Sequence, residues 1–219
     1  MNTNNTTTAL TTRQLQPSTW EMIQAIAPTV TDSRLFGVST RAQAAVIMLR
    51  GCELGLNLTT AFEFISVING KPVLSPRGAL ALVQQSGLLE SFKIEEARDD
   101  AGVPTACTVS MRRRGGFEYT TSFSMDDARR AGLVRPGSAW ETYPMNMLRW
   151  RSIGYAIDVV FPDIIAGMKR ADELGADIDT AGNVIAGEWE AQPTPPTVQA
   201  LPTLQALVAQ YGPEAVMQA

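Results

Sequence analysis

The sequence predicts an α+β fold, mostly antiparallel, in which a β-hairpin and a three-stranded meander pack with helices. Two observations carry this. Asn69-Gly70 sits between β-prone runs in FEFISVINGKPVL (62–74), the strongest short-range hairpin signal. The runs SFKIEEA (91–97), TACTVSMRR (105–113) and FEYTTSF (117–123) are β-prone and separated by Gly-bearing turns at Arg98–Gly102 and Arg114–Gly116. Helical signals surround both units, and no internal repeat is present.

In chain order, Trp20–Ala27 suits a short helix. A longer helix opens on Ser39 as N-cap and runs through TRAQAAVIMLRGCELG. Its apolar face is Ala42, Ala45, Val46, Leu49 and Cys52, and Gly55 is its C-cap. After the hairpin, Ser75 and Pro76 supply an N-cap and a first-turn proline for a helix ending near Gly87. In the middle strand of the meander, Cys107, Val109 and Met111 alternate with Thr108, Ser110 and Arg112, giving one buried and one solvated face. Ser124 and Asp127 form a capping-box variant at the start of SMDDARRAG. Ser138 and Glu141 match a capping box ahead of a helical segment over 144–161, which Pro162 ends.

The ends differ in character from this body. Met1–Thr12 is an Asn/Thr run with neither a basic region nor an apolar one, expected to be disordered rather than a signal peptide or anchor. No stretch approaches the ~20 apolar residues of a membrane helix. Four prolines between Ile185 and Thr203 mark a linker. Beyond them Leu204, Leu207, Val208 and Tyr211 recur at helical spacing, so a short helix there either docks on a partner protein or folds back onto the body. The expected organisation is a flexible segment over 1–17, a core domain over 18–175, an acidic, Pro-rich linker over 176–202 and a helical segment over 203–219.

Composition narrows the chemistry. Among 219 residues there is no histidine, and Cys52 and Cys107 are the two cysteines. Ser-His-Asp and Cys-His catalysis are excluded, and a zinc site lacks N/S ligands. So few cysteines suit a reducing, intracellular setting. The net charge of −4 conceals a segregation: eighteen basic and fifteen acidic residues leave residues 1–170 at +3, while seven acids and no base leave 171–219 at −7. The acidic tail either competes for the body's basic surface or aids solubility.

Arg112, Arg113, Arg114, Arg129, Arg130, Arg135, Arg149 and Arg151 fall within forty residues, interleaved with Trp140, Tyr143 and Trp150. Guanidinium groups grip phosphates bidentately and aromatic rings stack on unpaired bases, so the mixture suits a single-strand groove. The alternative is that Arg112–Arg114 solvate a hairpin end and the tryptophans are core. Arg149 and Arg151 lie about 200° apart around a helix. Arg151 shares its face with Met147, Tyr155 and Asp158, and Arg149 shares its own with Met145, Asn146 and Ser152. One therefore lines a groove while the other pairs with an acid or a neighbouring subunit. Likewise Arg112 and Arg114 fall on the solvated side of their strand and Arg113 on the other. Glu118, Asp126, Asp127 and Asp163 are the carboxylates a Mg²⁺-dependent nuclease would use, but acids in a helix's first turn are favoured by its dipole anyway. The phosphate-loop pattern GxxxxGK[ST] is absent.

Three stretches, RGCELGLNLTTAFEFISVINGKPVLSPRGALAL (50–82), CTVSMRRRGGFEYTTSFSMDDARRAGL (107–133) and WETYPMNMLRWRSIGYAIDVVFPDIIAGM (140–168), resemble in order the RecT / Red beta family of phage single-strand DNA annealing proteins. The resemblance spans roughly residues 40–172. It implies ATP-independent binding of single-stranded DNA and pairing of complementary strands through an annealed duplex intermediate, by a homo-oligomeric ring or helical filament. It further implies no catalytic centre and no cofactor (Mg²⁺ only as a counterion to DNA), and a place in the bacterial cytoplasm away from membranes. The partners it implies are a phage 5′-to-3′ exonuclease and the host single-strand-binding protein. Carried onto this chain, the DNA groove comprises Lys71, Arg77, Arg112, Arg114, Arg129, Arg130, Arg135, Trp140, Tyr143, Arg149 and Arg151. Met145, Asn146 and Asp158 depart from the family pattern, standing where relatives often have Lys or Arg. Asp158 then makes a subunit contact or a salt bridge to Arg151.

Overall fold

A computed structural model of the chain describes residues 16–185. Its elements run α1 (Pro17–Ser33), α2 (Arg41–Glu53), α3 (Leu58–Phe64), β1 (Ile65–Ile68), β2 (Lys71–Leu74), α4 (Pro76–Gln85), β3 (Leu89–Arg98), β4 (Pro104–Arg113), β5 (Glu118–Ser124), α5 (Met125–Arg130), α6 (Ala139–Thr142) and α7 (Pro144–Val160). The fold is the expected α+β type, with an antiparallel β1–β2 hairpin and an antiparallel β3–β4–β5 sheet. The readings for 1–15 and 186–219, including the proline-rich stretch and the terminal helical segment, lie outside the described residues.

Asn69 and Gly70 take left-handed φ angles of 51° and 72° and close the hairpin, as an Asn-Gly pair permits. The β-prone run ahead of them does not pair throughout, because Phe62, Glu63 and Phe64 belong to α3. Packing overrides their strand propensity. Phe62 stacks on Phe36 with centroids 4.8 Å apart, and a Cβ on Gly51 of α2 would lie 2.4 Å from the Ala61 Cβ. That close approach also selects the buried face of α2, which is Ala44, Ile47, Met48 and Gly51, not the expected Ala42, Ala45, Val46, Leu49 and Cys52. The helix is apolar nearly all round, so periodicity does not choose a side. Its N-cap is Thr40, whose hydroxyl accepts from Gln43 N at 3.1 Å. α1 continues past Ala27 because its buried stripe, Ile23, Ala27 and Val30, carries on through Pro28.

The meander presents Cys107, Val109 and Met111, all fully buried, to α7, which packs across β4 and β5. Ser152 Oγ donates to Cys107 O at 2.8 Å inside this interface. The opposite face is polar, with hydroxyl pairs Thr108–Ser122 at 3.0 Å and Ser110–Thr120 at 2.8 Å. Ser75 caps α4 and the Ser124–Asp127 capping box starts α5. The box expected at Ser138 is not made. Ser138 Oγ turns back to Arg135 O, Glu141 accepts from Gly137 N, and Ala139 N is satisfied by Asp177 Oδ1 at 3.2 Å.

Beyond α7 the chain returns to the hairpin. Leu74 N donates to Lys169 O and Ala171 N to Leu74 O, each at 2.9 Å. This carries Arg170 into the core with no exposed surface, where Asp172 Oδ1 at 3.1 Å, Glu173 Oε1 at 3.0 Å and Asp158 Oδ1 surround its guanidinium. Its Nη1 lies within ion-pair reach of Asp158 and Glu173, without hydrogen-bond alignment to either. Burial alone would lower the pKa of this guanidinium, but Asp172 and Asp158 outweigh it and hold the group above the ordinary arginine value. Asp158 is therefore spoken for by Arg170 rather than Arg151. The fold also extends past the expected boundary at 175: Ala176 and Ile178 are buried, and Ile178 bridges to Val184. No proline interrupts this stretch, and an Asp179 turn closes it.

Gly154 is the point where Arg170 crosses α7, since a Cβ there would lie 2.2 Å from Arg170 Nε. Gly154→Ala should lower stability by about 1–3 kcal/mol through overpacking, despite alanine's better helix propensity, as read by urea unfolding.

Candidate nucleic-acid interface

The expected groove residues separate into exposed cations, cations held by acids, and core. Lys71 is exposed at the hairpin turn, Arg77 in the first turn of α4, Arg114 in the β4–β5 turn and Arg135 in the loop before α6. None of the four forms an ion pair among the described residues. Arg77 Nη1 reaches Asn183 Oδ1 at 3.5 Å, a neutral contact. Tyr143, between α6 and α7, leaves 53% of its surface exposed.

A second set is exposed but paired. Arg129 meets Asp126 at 2.6 Å and Arg130 meets Asp127, both one turn apart on α5. Arg112 lies 3.6 Å from Glu90 on the neighbouring strand. Such solvent-screened pairs contribute little, so a phosphate can displace the acid at little cost. Arg149, half-buried on α7, hydrogen-bonds Glu96 of β3 through Nε at 2.6 Å.

Two residues do not face solvent. Trp140 is 5% exposed, with its ring 5.8 Å from Phe123, so it is core rather than a stacking platform. The alternative weighed for the tryptophans from sequence holds at this position. Arg151 is nearly buried as well. It bonds the Asp172 carbonyl and carboxylate and Tyr155 Oη, and lies over the Tyr155 ring at 5.2 Å and the Phe123 ring at 5.9 Å. The expected partition of Arg149 and Arg151 to different sides of α7 is thus present, but an acid is found with each.

Arg113 points to the other side of β4 from Arg112, as the alternation requires. It makes a bidentate pair with Asp163 at 2.6 and 2.7 Å and donates to Val160 O at 3.0 Å. This ties the sheet to the C-terminal end of α7. Arg112 and Arg114 are therefore near that end and Tyr143 is at the other, separated by the ~25 Å length of a 17-residue helix. Near the N-terminal end, residues 177–183 gather several groups. Asp177 caps Ala139 N, Ile178 O accepts from Asn146 Nδ2 at 2.6 Å, and Gly182 O accepts from Arg77 N at 3.1 Å.

Sequence reasoning missed Arg34 and Arg41, exposed cations with no acidic partner among the described residues. They lie outside the arginine-rich run over 112–151 that drew attention. Three of the four carboxylates considered for Mg²⁺ are engaged elsewhere: Asp126 and Asp127 with α5 arginines and the cap, Asp163 with Arg113. Among the described residues no three Asp, Glu, Cys or His side chains come together as a metal cluster. Cys107 is an unreactive thiol, pushed up to about 11 chiefly by burial and then by the Glu96 charge. No protein-family model matches the chain, and no curated protein matches it.

The Arg113–Asp163 pair sets a pH dependence. The hydrogen bond from Arg113 holds the Asp163 carboxyl below the usual range, against the effect of burial. Its stabilisation is therefore complete above the unfolded value of about pH 4 and fades as pH falls through the lower folded value. Asp163→Asn should cost about 1–2 kcal/mol at neutral pH and make the loss of stability as pH falls below about 4 shallower, measured by urea unfolding across pH.

Proposed function

We infer that the chain binds single-stranded DNA and anneals complementary strands without nucleotide hydrolysis, acting as a multimer. The observation that carries this is the set of four exposed cations, Lys71, Arg77, Arg114 and Arg135, that have no acidic partner among the described residues. Lys71, Arg77 and Arg114 fall in the stretches whose sequence resembles the phage annealing proteins, and Arg135 lies between the second and third of them. The exposed Tyr143 offers a stacking surface beside them in sequence, and the weak pairs at Arg112, Arg129 and Arg130 can be exchanged for phosphates.

The mechanism is physical. Cations along the strand cancel phosphate repulsion, bases stay available for pairing, and a second strand tests complementarity. The driving force is base stacking and pairing, on the order of 1.4 kcal/mol per step. The protein lowers the barrier, so no catalytic centre, resident metal or ATP is required, and Mg²⁺ serves only as a counterion. The partners of this reading are single-stranded DNA, the annealed duplex intermediate, further copies of the chain, a phage 5′-to-3′ exonuclease and the host single-strand-binding protein. Its setting is the bacterial cytoplasm.

Binding to a labelled oligonucleotide should weaken steeply with salt, with a log–log slope of about −0.7 per phosphate neutralised. Alanine at Lys71, Arg77, Arg114 or Arg135 should each reduce the slope by about 0.7, whereas Arg151→Ala should lower stability and leave the slope unchanged. A flat salt response overturns the reading.

A further inference from the structure

Two buried polar groups on α7 have no hydrogen-bond partner among the described residues: the acceptor Asn146 Oδ1 and the donor Trp150 Nε1. Their residues are 6% and 8% exposed and stand four apart, so they share one face of the helix. A buried donor or acceptor left unsatisfied forfeits its hydration without a replacement bond, so such a group favours any partner that can reach it. Both lie under residues 177–184. Asn146 Nδ2 donates to Ile178 O, and Gly182 approaches the indole so closely that a Cβ would lie 2.4 Å from Trp150 Cζ2.

This strap is held to the body by few bonds. They are Ala139 N to Asp177 Oδ1 at 3.2 Å, Asn146 Nδ2 to Ile178 O at 2.6 Å, Arg77 N to Gly182 O at 3.1 Å and Arg77 Nη1 to Asn183 Oδ1 at 3.5 Å. Ile178 adds one buried side chain. Its own turn is preformed: Asp179 Oδ1 accepts from the Ala181 and Asn183 amides at 2.8 Å, and Asp179 Oδ2 from Asn183 Nδ2 at 3.0 Å. The strap brings the acids Asp177 and Asp179 onto this face and occupies Arg77, one of the four expected groove cations without an acidic partner among the described residues.

We propose that Trp150 and Asn146 form a subsite for one unpaired nucleobase, and that the 177–184 strap covers it and competes with single-stranded DNA. A base is the chemical class that fits: a flat ring to take the place of Gly182 against the indole, and an edge bearing both a donor for Asn146 Oδ1 and an acceptor for Trp150 Nε1. The proposal rests on the DNA-binding reading above. Strap release also frees Arg77 for a phosphate and withdraws two negative charges. Apparent affinity is then the intrinsic affinity reduced by the fraction of molecules with the strap open.

The test uses the full chain and fluorescein-labelled oligo-dT. Gly182 has φ +88° and no room for a side chain, so Gly182→Leu dislodges the strap without changing charge. It should bind oligo-dT about threefold or more tightly than the native chain, and adding Trp150→Phe should cancel the gain. Hydrogen exchange gives a second reading on the unaltered chain. A freed hairpin this short is marginal by itself, so the amides of Gly182, Asn183 and Ile185 should exchange faster with oligo-dT present. The strap proposal is overturned, and DNA binding stands, if the native chain binds oligo-dT while Gly182→Leu, folded by circular dichroism, binds no tighter. Exchange that is unchanged or slower overturns it equally, as does a gain that survives Trp150→Phe. If neither chain binds oligo-dT, both readings fall.

Discussion

Arg170 is the side chain on which the rest of the molecule is assembled. Its guanidinium lies across Gly154 in the middle of α7, its backbone runs beside Leu74 of the hairpin, and Asp158, Asp172 and Glu173 close around it. Asp172 in turn receives Arg151. The cluster thereby joins α7, β2 and the returning chain. A buried ion pair adds little net stability against a well-packed apolar substitute, but losing one partner costs ~3–5 kcal/mol because a charge is left buried. In this fold the cluster sets register: only one placement of the returning chain satisfies all these acids, and the strap begins from it.

The same cluster alters the meaning of the charge distribution. The sequence changes sign after Arg170, yet the first four acids of the negative portion are structural. Asp172 and Glu173 hold Arg170, Asp177 caps α6 and Asp179 builds a turn. Hydrogen bonds from Asn183, Ala181 and Gly182 overcome the opposing effect of burial and keep Asp179 below the usual carboxylate range. The division between a basic body and an acidic tail therefore runs through the fold. The body's exposed positive charge without acidic partners among the described residues is concentrated in cations on turns, loops and the ends of elements, because Arg149 and Arg151 of α7 and Lys93, Arg112 and Arg113 of the sheet have acids facing them.

Local signals made much of this legible. Asn69-Gly70, the Ser75-Pro76 start, the Cys107–Val109–Met111 alternation and the Ser124–Asp127 cap are encoded within a few residues, and each is formed. What depends on distant partners was not legible. The α2 face was decided by Ala61 approaching Gly51, the fate of Phe62 and Phe64 by packing, and the Ser138 cap by Asp177, thirty-nine residues onward. In the site, exposure of Lys71, Arg77 and Arg135 followed from their positions in turns and helix starts. Trp140 did not reveal its burial, since an indole suits a core and a stacking surface equally. The partner of Asp158 could not be chosen from helical spacing either, because the competing arginine arrives from outside the helix.

The central claim concerns strand pairing, and mixing two complementary fluorescently labelled oligonucleotides with the full chain, in EDTA and without nucleotide, tests it most directly. The account predicts pairing several-fold faster than in protein-free solution, slowing as salt displaces the strand. Pairing that is no faster, or slower, while both oligonucleotides are bound would contradict it and leave a single-strand-binding module without annealing activity.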